Sequence, residues 1–400
     1  MKRTRLLELW LVFFLLWPGL TIAGGYFQSE LIFPPEHWHN HASSLVQTPD
    51  GGLLVCWYHG SGERSADDVK ILGSRLPVGS ATWEKPFLMA DVPGFPDTNP
   101  AMIVDGSGKL FLFWANIVSN QWGSALLRMK TSTNFEKKGP PFWNWQDVIL
   151  LKPANLEPQF LAKVARVFPE LKKYPGARAE AEEAVRKVTD KLARRLGWMP
   201  RVHPLILPDG RMLLPLYSDV FSVGLVAISD DSGKTWFASE PIVGLVNVQP
   251  SLVRKKDGTI AAFMRDNGPG LFIQYSESHD RGVHWEEARY LSIPNPGSSV
   301  ETIALKNGHW VLVCNDTKDG RYRLTAFLSE DEGKTWPWKR SIENSPDHSG
   351  SYSYPSVIQT RDGKIHVTYS WSGKAGQSIK HTVFDENWIR EMHNNLRKNQ

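Results

Sequence analysis

Three copies of an eight-residue pattern, Ser-x-Asp-x-Gly-x-x-Trp, recur at nearly constant spacing in the second half of the chain. They are Ser229-Asp231-Gly233-Trp236, Ser278-Asp280-Gly282-Trp285 and Ser329-Asp331-Gly333-Trp336. The aspartates lie 49 and 51 residues apart, the size of one four-stranded propeller blade. Each position has a mechanical reason. The carboxylate accepts bonds from N–H groups of its own turn, glycine permits positive φ, and tryptophan fastens the hairpin to its neighbour. One copy is a turn; three in register predict a repeat architecture.

A second repeat sets the blade number. Asp or Asn followed by Gly, flanked by β-rich runs, occurs at Asp50-Gly51, Asp105-Gly106, Asp209-Gly210, Asp257-Gly258, Asn307-Gly308 and Asp362-Gly363. Such dipeptides are the strongest short-range hairpin signal. The steps between them are 55, 104, 48, 50 and 55 residues, and the doubled step contains a foreign segment, roughly Asn155 to Gly197. Without it six hairpins share one period, so the chain is expected to form an all-β, six-bladed β-propeller over residues 24–400. The 17 Trp, 32 Gly and 27 Pro suit many short strands and tight turns. The inserted segment, 155–197 between the second and third blades, reads as helical. From Ala177 to Leu196 it is rich in Ala, Glu, Lys and Arg, with Val185, Val188, Leu192 and Leu196 on one face. It is expected on the rim, as a lid, a buttress or a solvated excursion.

Residues 1–23 read as an export signal. Lys2, Arg3 and Arg5 precede an apolar run from about Leu9 to Ile22, and Thr21-Ile22-Ala23 supplies small residues for cleavage. The expected location is periplasmic or secreted, the alternative an uncleaved anchor. Cys56 and Cys314, the only thiols, lie in separate apolar runs and read as isolated buried residues. The formal charge of +4 is too small to argue for nucleic acid. The chain has no phosphate loop, no His-Glu-x-x-His zinc helix, no metal-spaced cysteine pair and no Gly-x-Ser-x-Gly elbow. No cofactor or metal is expected.

The inner strands of a propeller run beside its central channel, so their ends meet on one face. If the Gly turns join the first and second strands of each blade, the first strands begin six to nine residues upstream. That set contains His41, Asp97 with Asn99, Arg201 with His203, Asn247 with Gln249, Glu301 and Tyr354. The second strands end about eight residues downstream, at His59, Asn116, Tyr217 with Asp219, Arg265 with Asp266, Asn315 with Asp316, and Trp371. Together they describe a funnel of guanidiniums, imidazoles, carboxylates, amides and aromatic rings. Such a lining suits an anionic, polyhydroxylated ligand.

The box spacing, the opening run from His41 to Gly51 and the stretch Arg321-Tyr322-Arg323-Leu324-Thr325 resemble the sialidase (neuraminidase) superfamily, in particular its BNR-repeat, sialidase-like secreted bacterial proteins. The resemblance covers roughly residues 30 to 390, interrupted by the insertion. It implies an exo-glycosidase that removes a terminal sialic acid or related acidic sugar from a glycan. It implies Arg265 and Arg321 as two of the family's three carboxylate-binding arginines. Tyr354 corresponds to the nucleophilic tyrosine, an exception among glycosidases. The loop from Gly60 to Asp68 resembles the segment carrying the acid/base aspartate, with Asp67 the choice and Glu63 and Asp68 its rivals. Arg64, Asp97, Arg201, His203 and Trp371 complete the expected substrate-binding set. There are two departures. His41 stands where the family has its first arginine, and Gln249 where it has the glutamate that takes the tyrosine's proton. An amide cannot be that base, so Glu301 is the expected substitute. Two other readings stay open: a uronic-acid glycosidase or lyase using His41 or His203, and a non-catalytic glycan-binding propeller.

Overall fold

A computed structural model describes residues 24–171 and 175–397. The expected export segment lies outside the described residues. Six four-stranded antiparallel units form a ring, the third with one extra short strand. Their innermost strands are His39–Gln47, Asp97–Val104, the broken pair Met199–Pro200 and Leu205–Ile206, Asn247–Arg254, Glu301–Ala304 and Ser351–Gln359. The sixth blade takes its outer strand, Phe27–Leu31, from the N-terminal side, paired with Gly376–Phe384. That pairing closes the circle.

Each expected Gly turn joins the first and second strands of a blade, and its Asp or Asn oxygen accepts an N–H two residues on: Asp50 from Gly52, Asp257 from Thr259, Asn307 from His309. The Ser-x-Asp-x-Gly-x-x-Trp boxes link the third and fourth strands of blades three to five. In the first, Ser229 Oγ accepts the Gly233 N–H at 2.9 Å and Asp231 accepts the Thr235 N–H at 2.9 Å. Gly233 has φ 82°, and a Cβ there would meet Phe111 at 2.8 Å. Trp236 meets Phe113 of the preceding blade edge-on at 5.6 Å, as Trp336 meets Phe263 at 6.0 Å. The boxes therefore weld neighbouring blades at the outer rim. Cys56 and Cys314 are buried and unbridged.

The insertion holds two helices, α1 (Leu156–Leu171) and α2 (Pro175–Thr189). Both lie within the segment read as helical; the stretch expected from Ala177 to Leu196 stops at Thr189, with Asp190 capping the Ala193 N–H of a following turn. The hairpin is no solvated excursion. Phe160, Val164, Ala184 and Val188 are buried with Trp198 and Phe221 in the core between blades two and three. Among the described residues no helix is long and apolar enough to cross a membrane.

Candidate functional site

Four of the inner strands carry the same irregularity. Their pairing slips between His41 and Ser44, Thr98 and Ala101, Val248 and Ser251, and Ser353 and Ser356. Within each slip one residue is left-handed: Ala42 (φ 56°), Asn99 (51°), Gln249 (56°) and Tyr354 (57°). A bulge of this kind turns a side chain away from the sheet. Asn99, Gln249 and Tyr354 accordingly line one cavity of about 370 Å³ at the channel mouth. A non-glycine residue in this conformation costs on the order of 1 kcal/mol or more, so the strand must be held from outside.

A belt of side chains below the cup does the holding. Ser44, two residues after Ala42, accepts the Met102 N–H of the next blade at 2.9 Å; Ser251 accepts that of Thr302 and Ser356 that of Leu45, both at 2.9 Å. In the fifth blade Glu301 takes the serine's place, its Oε2 accepting the Val357 N–H at 2.8 Å. Its other oxygen meets His203 Nδ1 at 2.5 Å, while His203 Nε2 lies 2.6 Å from the Leu45 carbonyl. Both partners of that ring are acceptors, so the imidazolium satisfies both. Burial opposes the charge, but Glu301 and the Leu45 carbonyl outweigh it and raise the His203 pKa. Glu301 and His203 thus lie outside the cup as structural pins. The carboxylate expected to serve Tyr354 already holds two other elements.

Arg201 is also a pin. Wholly buried, it donates to the Pro355 carbonyl at 3.0 Å and to that of Ser43 at 3.4 Å, its guanidinium 4.9 Å from the Tyr354 ring centre. Asp97 likewise sits outside the cup, accepting from Trp114, Asn116 and the Val92 N–H, with burial pushing its pKa up to about 6. Trp371 belongs to the sixth blade's strand Ile365–Gly373 and does not line the cavity. Asp67 is exposed and bound by Asn120 at 2.7 Å, also outside the lining. Arg64 stacks 5.1 Å above Trp122 at the rim.

The cup brings together His41, Gln249, Arg265, Arg321 and Tyr354 of the expected set. Arg265 Nη1 donates to the Tyr354 hydroxyl at 2.8 Å, and the Arg321 guanidinium lies 5.2 Å from the ring centre. Burial alone would raise the phenol's pKa, yet Arg265, Arg321 and the Gln249 amide overcome it and bring the pKa below its ordinary value. His41 packs its ring 4.2 Å from that of Tyr354. Burial, then the Arg321 charge, push its pKa well down. It is a neutral imidazole, not the third cation that its position suggested.

Two carboxyl groups share the lining. Glu63 accepts from Tyr58 at 2.8 Å and faces His39; that histidine, against the cost of burial, lowers its pKa to about 2. For Asp219 burial dominates over Arg265 and Arg64, and its pKa is raised. Tyr217 and Asp219, named among the strand ends of the funnel, do line the cup; Tyr58 lines it too and was missing from that set, although a signal existed. Tyr58, Tyr217 and Arg265 each stand eight residues after the Asp of an Asp-Gly turn. Taking His59 and Trp371, nine residues on, slips the register by one and flips the face. His59 lies instead against Asn40 at 3.0 Å, and the eighth residue in blade six is Ser370, which accepts the Ala42 N–H.

Residues 195–367 match the BNR repeat-like domain family. The comparison with curated proteins gave no match. Among solved structures, a Dyadobacter fermentans protein of unknown function superposes with a TM-score of 0.69 at 15% identity, covering 91% of this chain and 100% of its own. The NanB sialidase of Streptococcus pneumoniae gives 0.65 at 14% identity, over 90% of this chain and 71% of its own. The intramolecular trans-sialidase of Ruminococcus gnavus gives 0.66 at 13%, over 90% and 97%. The fold is that of the sialidase-like BNR-repeat propellers.

Proposed function

We propose that the chain is an exported glycoside hydrolase of sialidase type, acting on a glycan that ends in sialic acid or a related acidic sugar. The observation that carries this reading is the Tyr354 phenol. It takes a hydrogen bond from one guanidinium and lies beside a second, with a pKa brought down despite burial. In this reading Arg265 and Arg321 receive the sugar's carboxylate, with neutral His41 as an uncharged donor. The two arginines favour the phenolate, so the loss of a carboxylate base at Gln249 is compensated by electrostatics rather than by Glu301. The phenolate attacks the anomeric carbon as the bond to the leaving oxygen breaks, and a carboxyl group supplies that oxygen's proton. Environments that push two carboxyl pKa values apart assign the acid. Asp219, raised, suits the donor; Glu63, held near 2, stays a carboxylate. Water then cleaves the glycosyl-tyrosine bond, with Asp219 taking its proton.

The test is a screen of the protein against chromogenic glycosides of acidic sugars, sialosides among them. Release of chromophore from at least one is expected, and silence across the panel rejects the hydrolase. One observation favours a second reading, a glycan-binding propeller: no carboxylate hydrogen-bonds the Tyr354 hydroxyl among the described residues. A histidine-dependent glycosidase or lyase rests on His41 alone, since His203 is engaged in the belt.

A further inference from the structure

Beside the cup lies a second cavity of about 620 Å³, roofed by the helical hairpin. Its character is the opposite. Phe160 and Val164 of α1, Ala179 of α2, and Phe221, Leu245 and Pro269 from the blade loops give it a mainly apolar lining, to which Glu183 and Lys187 of α2 add charged side chains. The void has an identifiable origin in the sequence. Ala179, Ala181 and Ala184 of α2 all face it, and larger residues there would fill it. Of the two lysines in the lining the buried one, Lys163, turns its Nζ to the Ser222 carbonyl at 2.8 Å, and burial brings its pKa down to about 7. The two cavities are contiguous: Glu180, Asp219, Ser222, Val246 and Asn267 line both. Asp219, the carboxyl group assigned to protonate the leaving oxygen, therefore stands on the wall between cup and chamber.

We infer that this chamber is the subsite for the leaving group, and that the substrate is an amphipathic glycoside whose aglycone is apolar. The inference rests on the hydrolase reading above and adds the substrate class. A sugar in the second subsite would lay hydroxyl groups against Phe160, Phe221 and Leu245, and each one left unpaired there costs on the order of 1–3 kcal/mol. An alkyl or aromatic aglycone loses nothing comparable and gains from leaving water. The chamber's size falls within the ordinary range for small-molecule sites.

The experiment measures binding with turnover blocked. The Tyr354→Phe protein is titrated by calorimetry with the methyl, n-octyl and phenyl α-ketosides of N-acetylneuraminic acid, and with methyl and n-octyl glucuronides. The octyl compound of the accepted sugar should bind on the order of tenfold or more tightly than the methyl compound. With Ala179→Trp added, the octyl-to-methyl ratio should fall towards one. Ala181→Trp repeats the measurement if the first variant melts early. A phenyl gain matching the octyl gain marks an aromatic aglycone; a gain confined to octyl marks a lipid-like one. Equal binding of methyl and octyl compounds overturns the inference and leaves the hydrolase standing. Binding of none overturns both.

Discussion

Arg201 and Arg265 flank the same phenol and do opposite things. Arg201 is closed in on every side, holding two carbonyls of neighbouring strands beneath the ring. Arg265 points at the hydroxyl and faces a cavity. The same contrast separates Glu301, whose two oxygens hold His203 and the Val357 N–H, from Asp219 on the wall of the cup. Residue type alone therefore says little about function here. What separates the belt from the cup is whether the polar group faces the cavity.

That contrast can be broken by substitution. The largest effect is expected at Tyr354→Phe, which should lower kcat by about a thousandfold or more while ligand affinity measured by calorimetry persists. If turnover survives, the phenol is not the nucleophile. Next comes Glu301→Ala, which strands a buried imidazolium and the Val357 N–H. A loss of about 3 kcal/mol in denaturant unfolding is expected, with the folded fraction still active. If activity falls while stability holds, Glu301 belongs to the chemistry after all. The same pair sets a pH dependence. Because the fold raises the His203 pKa, its contribution is complete below the unfolded value of 6.5 and fades as pH rises through the folded one. Glu301→Gln should flatten that decline in melting curves recorded across this window.

Arg321→Ala is expected to weaken binding of an acidic sugar about a hundredfold. It should also move the limb of the pH–rate profile that reports Tyr354 ionisation to higher pH, since its charge helps lower that pKa. A profile that stays put removes Arg321 from the activation of the phenol. Smallest of all is Asp231→Asn in the first box. Its carboxylate, brought to a pKa of about 2 chiefly by the Thr235 hydroxyl and N–H, lies at the rim, so a slight fall in melting temperature with unchanged kcat/KM is expected. Wild-type protein should lose this contribution as pH drops through about 2.

The ring and its blade count were legible because turn chemistry is local: Asp, Gly and Trp act on residues within a few positions. The cup was legible only in part. Tyr354, Arg265, Gln249 and His41 followed from counting along strands and Arg321 from the resemblance alone, but the count alternates faces, so an error of one exchanged Tyr58 for His59. Glu301 was misplaced for a deeper reason. Its partners, His203 and Val357, sit 98 and 56 residues away, and no local pattern reveals that both oxygens are taken. The insertion was legible as helical, but not the bounds of its first helix, whose apolar face answers to Trp198 and Phe221 on other elements.

The fastening of blade six has a consequence for how such a molecule is made. Phe27–Leu31 precedes every other strand of the ring in the chain, and its partner Gly376–Phe384 follows them all. The circle cannot shut until its last strand is made, and contacts of such long sequence separation form slowly. Until then the chain is an open arc with two unpaired strand edges where the ring will close.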